Sequence, residues 1–310
     1  MQKRMRFMGL ALALVVLLAG SPSVYAQVQV TDCMACHNDT TVITEKQTAL
    51  SEAVHGTCEA YVRGSSAGCA GCHSGGAFSK MVAAGLTPDT VEAGDPNPTR
   101  QSCRACHQVH TSYTEADWAL ETTAPVALYA FEDKTYDGGK GNLCANCHQP
   151  RRAIAAPDAD GNIAVTSTHW GPHHGPQSAV LLGQGGAGAA GVPSFHYRLT
   201  SDTCVSCHIG PDMVHTFEAV ESTCLDCHAE DEDLGGAQDA VAAQIAELGE
   251  LLKAKGLLDE EGHPVVGVYP AAQAEALWNY ILIEIEDGSL GAHNPPYIKA
   301  LLDASIVAVQ

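Results

Sequence analysis

The chain has 310 residues and carries 36 acidic against 16 basic side chains, a formal net charge of −20 at neutral pH. That balance excludes nucleic acid and anionic lipid as partners and favours docking on basic protein surfaces. Aromatic residues are only 5% of the chain, thin for an ordinary core of this length, so another large apolar body is expected to fill the interior.

The N-terminus reads as a leader. Lys3, Arg4 and Arg6 form a positive start, residues 8–19 an apolar run short for a bilayer span, and Val24-Tyr25-Ala26 a cleavage-type end. Residues 1–26 are therefore expected to be a signal peptide, and the mature chain to be exported to the periplasm or the cell exterior. No later stretch reads as a transmembrane span. The mature chain divides into residues 27–235, which hold all thirteen cysteines and most histidines, and residues 236–310, which hold no cysteine.

Thirteen cysteines in an exported chain would ordinarily mean disulfides. Their spacing says otherwise. Twelve fall into six C-x-x-C-H units: Cys33, Cys36 and His37; Cys69, Cys72 and His73; Cys103, Cys106 and His107; Cys144, Cys147 and His148; Cys204, Cys207 and His208; Cys224, Cys227 and His228. In such a unit both thiols add to the vinyl groups of a haem, and the histidine becomes the proximal iron ligand. Paired zinc cysteines need no histidine directly after each pair, and redox C-x-x-C motifs occur singly. Six covalent c-type haems are the expected cofactors. Cys58 is left over and is expected to be a buried free thiol, with an intermolecular disulfide as the other reading.

Each iron has a second axial position. Beyond the leader the only methionines are Met34, Met81 and Met213, too few thioethers for six irons. Nine histidines lie outside the motifs: His55, His110, His169, His173, His174, His196, His215, His263 and His293. His110 follows the third motif by three residues, His196 and His215 flank the fifth, and His55 precedes the second. One of His173 and His174, in a Gly-Pro-His-His-Gly segment, is expected at an iron and the other beside it. His263 reads as an exposed turn, and His169 is left open.

The motif starts are 36, 34, 41, 60 and 20 residues apart, too irregular for a solenoid and too close for separate domains. The fifth and sixth motifs are expected to be spatial neighbours. Gly and Pro clusters mark loops through this region, Asp158 to Asn162 reads as a tight turn, and residues 183–191 as a flexible Gly/Ala connection. After Gly236 the pattern becomes helical: Val241, Ile245, Leu248 and Leu252; then Ala274, Leu277, Trp278, Ile281, Leu282 and Ile285; then Ile298, Leu301 and Leu302 behind Pro295-Pro296. Residues 259–270 form the turn between the first two helices. The bland reading of this segment is a partner-binding helical hairpin.

The six motifs, the Asn279-to-Leu302 stretch with Ala292-His293-Asn294-Pro295-Pro296, the segment 171–177 and His215-Thr216-Phe217 together resemble the multihaem c-type cytochromes of the pentahaem nitrite reductase and octahaem lineage. The resemblance implies that His293 is also a distal ligand, which makes six distal histidines for six haems. It implies a mainly α fold with much irregular loop: a multihaem array with haems as the core, closed by C-terminal helices. It also implies an electron carrier between periplasmic or extracellular redox proteins, with no catalytic residue singled out. Self-association into a polymeric wire is one version of that reading. The alternative is a reductase with one open haem acting on a small nitrogen or sulfur oxyanion; the C-x-x-C-K motif of the nitrite reductases is missing here.

Overall fold

The computed structural model describes residues 37, 43–173, 175–230 and 232–310, all within one compact unit, Asp32–Gln310. The leader reading, Cys33, Cys36 and His174 lie outside the described residues.

Up to about residue 233 the chain is short helical turns joined by loops. The motifs themselves make the turns: Ala67–His73, Cys103–Cys106, Asn142–Ala145, Cys204–His208 and Glu221–Asp226. The reason is local. Residues three and four apart share one helix face, so a single turn aligns both thiols and the histidine. The amide of the histidine closes that turn onto the carbonyl of the first cysteine, at 2.8 Å for His107 and His148 and 2.9 Å for His228.

This region supplies little core of its own. One cluster joins Val126, Leu128, Tyr136, Ala145, Ala179, Leu181 and Leu182; another joins Phe78, Met81, Ala105 and Leu143. The first includes a hairpin absent from the sequence reading, strand β1 (Val126–Leu128) paired antiparallel with β2 (Phe131–Tyr136).

The main core lies in the C-terminal segment. A long helix (Leu234–Ala254), a middle helix (Ala271–Tyr280) and a last helix (Pro295–Val309) bury Ile245, Leu248, Leu252, Leu277, Trp278, Ile298, Leu301 and Leu302 against one another. The apolar periodicities of the sequence are the faces that meet here. The middle helix does not run on to Ile285 as an α-helix: it widens into a π turn, Ile281–Asp287, and stops at Gly288 in the left-handed conformation. The connection between the first two helices is more than a turn. It contains strand β4 (Gly267–Pro270), paired antiparallel with β3 (Asn162–Val165), which turns Ile163 and Val165 into the same core.

Two expectations are corrected. Residues 183–191 are a fitted strap, not a flexible connection. Gly186 donates to the Tyr297 hydroxyl at 2.9 Å, Ala187 donates to Asn279 Oδ1 at 2.8 Å, and Gly185 accepts from Trp278 Nε1 at 2.7 Å. The glycines are there for close approach: a Cβ on Gly186 would lie 2.4 Å from Leu301, and one on Gly191 would lie 2.1 Å from the Gly183 carbonyl oxygen. Cys58 is exposed, not buried. Its sulfur accepts from the Ala60 amide at the start of a 3-10 turn, and that capping position keeps it at the surface.

Candidate functional site: six facing histidine pairs

Every motif histidine faces one histidine from outside the motifs. The ring centres are 6.0 Å apart for His37 and His110, 6.0 Å for His148 and His55, and 6.3 Å for His73 and His173. They are 6.3 Å apart for His107 and His215, 6.3 Å for His208 and His293, and 6.1 Å for His228 and His196. A metal–imidazole bond is about 2 Å and the ring centre lies about 1.1 Å beyond the bound nitrogen, so trans imidazoles on one metal have centres about 6.2 Å apart. All six separations fit that value.

The pairing is not local. His110 lies beside its own motif in sequence yet faces His37, while His107 is met by His215 from beyond the fifth motif. His173 faces His73, while its neighbour His174 lies outside the described residues. His293 reaches His208 from the loop ahead of the last helix.

The rings are held by one nitrogen. Nδ1 of His107 donates to the Trp118 carbonyl at 2.7 Å, that of His148 to Gln177 Oε1 at 3.1 Å, and that of His208 to the Phe217 carbonyl at 2.9 Å. Nδ1 of His196 donates to Ala292 O at 2.6 Å, that of His215 to Met213 O at 2.8 Å, and that of His228 to Glu232 at 2.8 Å. A proton fixed on Nδ1 leaves the Nε2 lone pair as the metal-binding atom. Burial, with the nearby His148, pulls His55 down to about 4, so it stands neutral and ready to coordinate at neutral pH. Burial likewise lowers His215.

His293 is held differently. Burial alone would lower it, but the charge and hydrogen bond of the buried Asp287, 2.8 Å from its Nδ1, outweigh burial and raise it. A carboxylate in that position makes the imidazole a stronger donor. Asp287→Asn is expected to keep the ring in place and raise the reduction potential of the iron it binds by roughly tens of millivolts, read by redox titration.

The backbone is also arranged around these ligands. Seven described residues other than glycine have positive φ: His110, Tyr113, His173, Thr203, Met213, Phe217 and Leu290. Two are facing histidines, four lie two or three residues from one, and Thr203 directly precedes the fifth motif. Strain of this kind persists where surrounding structure holds a functional geometry.

Residues around the pairs fit a porphyrin. An open cleft is lined by Cys69, Cys72, His73, His173, Tyr129 and Arg151, with both motif thiols and both imidazoles on its wall. Large apolar side chains stand uncovered beside the ligands: Val54 next to His55, Phe195 and Leu199 around His196, Met213 near His215 and Leu225 within the sixth motif. None of the described cysteines is in a disulfide. Among the described residues no group of three or more His, Cys, Asp or Glu could hold a metal ion.

The motifs touch one another. Cys72 Sγ lies 3.9 Å from the Asn146 carbonyl oxygen and Cys147 Sγ 4.0 Å from that of Cys72, while Cys204 Sγ lies 4.0 Å from the Gly141 carbonyl oxygen just ahead of the fourth motif. The second motif therefore abuts the fourth, and the fourth abuts the fifth. Burial together with neighbouring charge pushes the Cys106 thiol up to about 11, with Cys103 among the causes, and Cys207 is raised by burial and then by Cys224 of the sixth motif. The fifth and sixth motifs are thus neighbours in space as well as in sequence.

One facing pair escaped the sequence reading. His169 and His263, an undecided residue and an exposed turn residue, have ring centres 6.4 Å apart. Their only sequence signal is the register of strands too short to foresee.

No helix among the described residues is long and apolar enough to cross a membrane. No protein-family profile matches the chain, and no curated protein does. Among solved structures, the outer cell wall cytochrome OcwA aligns at a TM-score of 0.53 and 21% identity, over 86% of this chain and 50% of that one. This chain thus spans about half the length of that cytochrome and shares its fold over that half.

Proposed function

We propose that the chain is an exported hexahaem c-type cytochrome that transfers electrons between redox proteins. Bound haem supplies a one-electron iron couple; the chain's own residues attach it, ligate it and shield it. Cys33, Cys36, Cys69, Cys72, Cys103, Cys106, Cys144, Cys147, Cys204, Cys207, Cys224 and Cys227 make the thioether bonds. The proximal ligands are His37, His73, His107, His148, His208 and His228, and the distal ligands are His110, His173, His215, His55, His293 and His196 in the same order. The observation that carries this reading is the one-to-one facing of six motif histidines with six others.

That count also weighs against the alternative. A reductase acting on nitrite or a related oxyanion needs an iron with one histidine only. A wire that borrows a ligand from the next subunit needs the same shortage. Neither shortage arises when each motif histidine has a partner in its own chain. The net charge of −20 suits docking against basic faces of partner proteins.

Low-temperature electron paramagnetic resonance of the oxidised protein, with and without nitrite, tests the proposal. Low-spin signals alone, unmoved by nitrite, are expected. A high-spin signal that shifts with nitrite would replace the carrier by a reductase.

A further inference from the structure

The pair left over by the six motifs has a specific geometry. Strand β3 pairs with β4 in a register that sets Asn162 opposite Pro270 and Val165 opposite Gly267. Continuing that register by four residues brings position 169 opposite position 263. The chain therefore delivers His169 and His263 to each other by strand pairing, and their ring centres are 6.4 Å apart.

The separation discriminates between occupants. Two imidazoles on a tetrahedral metal, with a ligand–metal–ligand angle of about 109°, would have ring centres about 5 Å apart; trans imidazoles would have them about 6.2 Å apart. The observed distance lies near the trans value and is longer than the tetrahedral one.

His263 is placed by its backbone amide, with a carboxylate near its ring. Its amide donates to Asp259 Oδ1 at 2.7 Å, and Asp259 Oδ2 lies 3.5 Å from its Nδ1. A carboxylate on the Nδ1 side leaves Nε2 as the binding atom. His169 sits in a turn closed by its own amide to Ser167 Oγ at 3.3 Å and by the Trp170 amide to Ser167 O at 3.2 Å. Trp170 is itself buried against Trp278, ring centres 5.0 Å apart. Both histidines are exposed, yet each hangs from an anchored turn.

We infer that His169 and His263 form a seventh metal site outside the six attachment motifs, taking one metal centre with its two imidazoles in trans. The chemistry required is a borderline transition metal that accepts imidazole on a linear axis. Two sources satisfy it: a free Cu(II)-type ion completed by water, or the iron of a haem held without thioether bonds.

The test uses the intact haem-loaded protein and its His169→Gln and His263→Gln variants, whose haem spectra report that the fold is kept. Acid–acetone extraction first asks for haem beyond the covalent complement. A non-covalent haem present in the wild type and absent from both variants assigns the site to haem iron. Without it, titration with Cu(II) alone follows, read by the nitrogen hyperfine pattern of the copper resonance. One Cu(II) bound at least tenfold more tightly by the wild type than by either variant assigns the site to a free ion. Equal copper binding in all three proteins, with no extractable haem, overturns the inference.

Discussion

On the hexahaem reading proposed above, exchanging His293 for glycine is expected to convert one haem in six from low spin to high spin. The iron affected is the one attached through Cys204, Cys207 and His208, because His208 and His293 are the facing rings, 6.3 Å apart. The converted signal should return to low spin on adding free imidazole, which fits the space the ring leaves. It should also shift with nitrite, a response the parent lacks. The loss is large because the ligand is so well held: its side chain is only 20% exposed and Asp287 grips Nδ1 at 2.8 Å. His293→Met should instead stay low spin and raise that couple by roughly 0.1–0.2 V, within the range that axial ligands span. An unchanged spin state in the glycine variant would refute the pairing with His208.

Trp278→Ala is expected to cost about 3–5 kcal/mol of stability, read from guanidinium unfolding followed by circular dichroism. Trp278 is 2% exposed, packs edge-on against Trp170, and donates to Gly185 O at 2.7 Å. Removing it opens a cavity where the middle helix meets the strap of residues 183–191 and strands that strap's carbonyl. Trp278→Phe keeps most of the apolar contact and loses the hydrogen bond, so it should cost about 1–3 kcal/mol. A cost below about 1 kcal/mol for the alanine variant would mean that this core is not the stabilising unit the burial indicates. The effect should reach the histidines as well. Asn294, next to His293, is fully buried and ties the last helix to Val180 O and Val192 O at 2.9 and 3.0 Å. Gln177 spans the same junction, accepting from His148 Nδ1 and donating to Glu286 O at 2.8 Å. Loosening the C-terminal core therefore loosens two facing pairs at once.

The attachment chemistry proposed above can be read from the sequence because it is local. Five contiguous residues carry both thiols and the proximal ligand, and one helical turn suffices to align them. The three C-terminal helices were legible for the related reason that a buried face imposes its period on the residues along it. Their last turn was not: nothing in Ile281 to Asp287 announces a π turn, which ends at the Asp287 that meets His293 Nδ1 at 2.8 Å. Composition indicated few aromatic side chains for a core of this length, and ahead of Gly236 the described residues form two small clusters besides lending Ile163, Val165, Trp170 and Val180 to the main core.

The sequence could nominate spare histidines from their context, but it could not say which histidine faces which. His110 lies three residues from His107 and faces His37; His55 faces His148 across most of the region. Facing is a non-local property, settled by loops whose backbone is strained into positive φ at the ligands and by contacts more than a hundred residues apart in sequence, such as Gln177 to Glu286. The same holds for His169 and His263. Each alone reads as a surface histidine, and only the pairing of two four-residue strands puts them face to face. What the sequence by itself determined was the chemistry within one helical turn and the face of each long helix; which rings oppose which was decided by the tertiary structure, because a ligand pair needs two chain segments at a set distance and no local pattern encodes that distance.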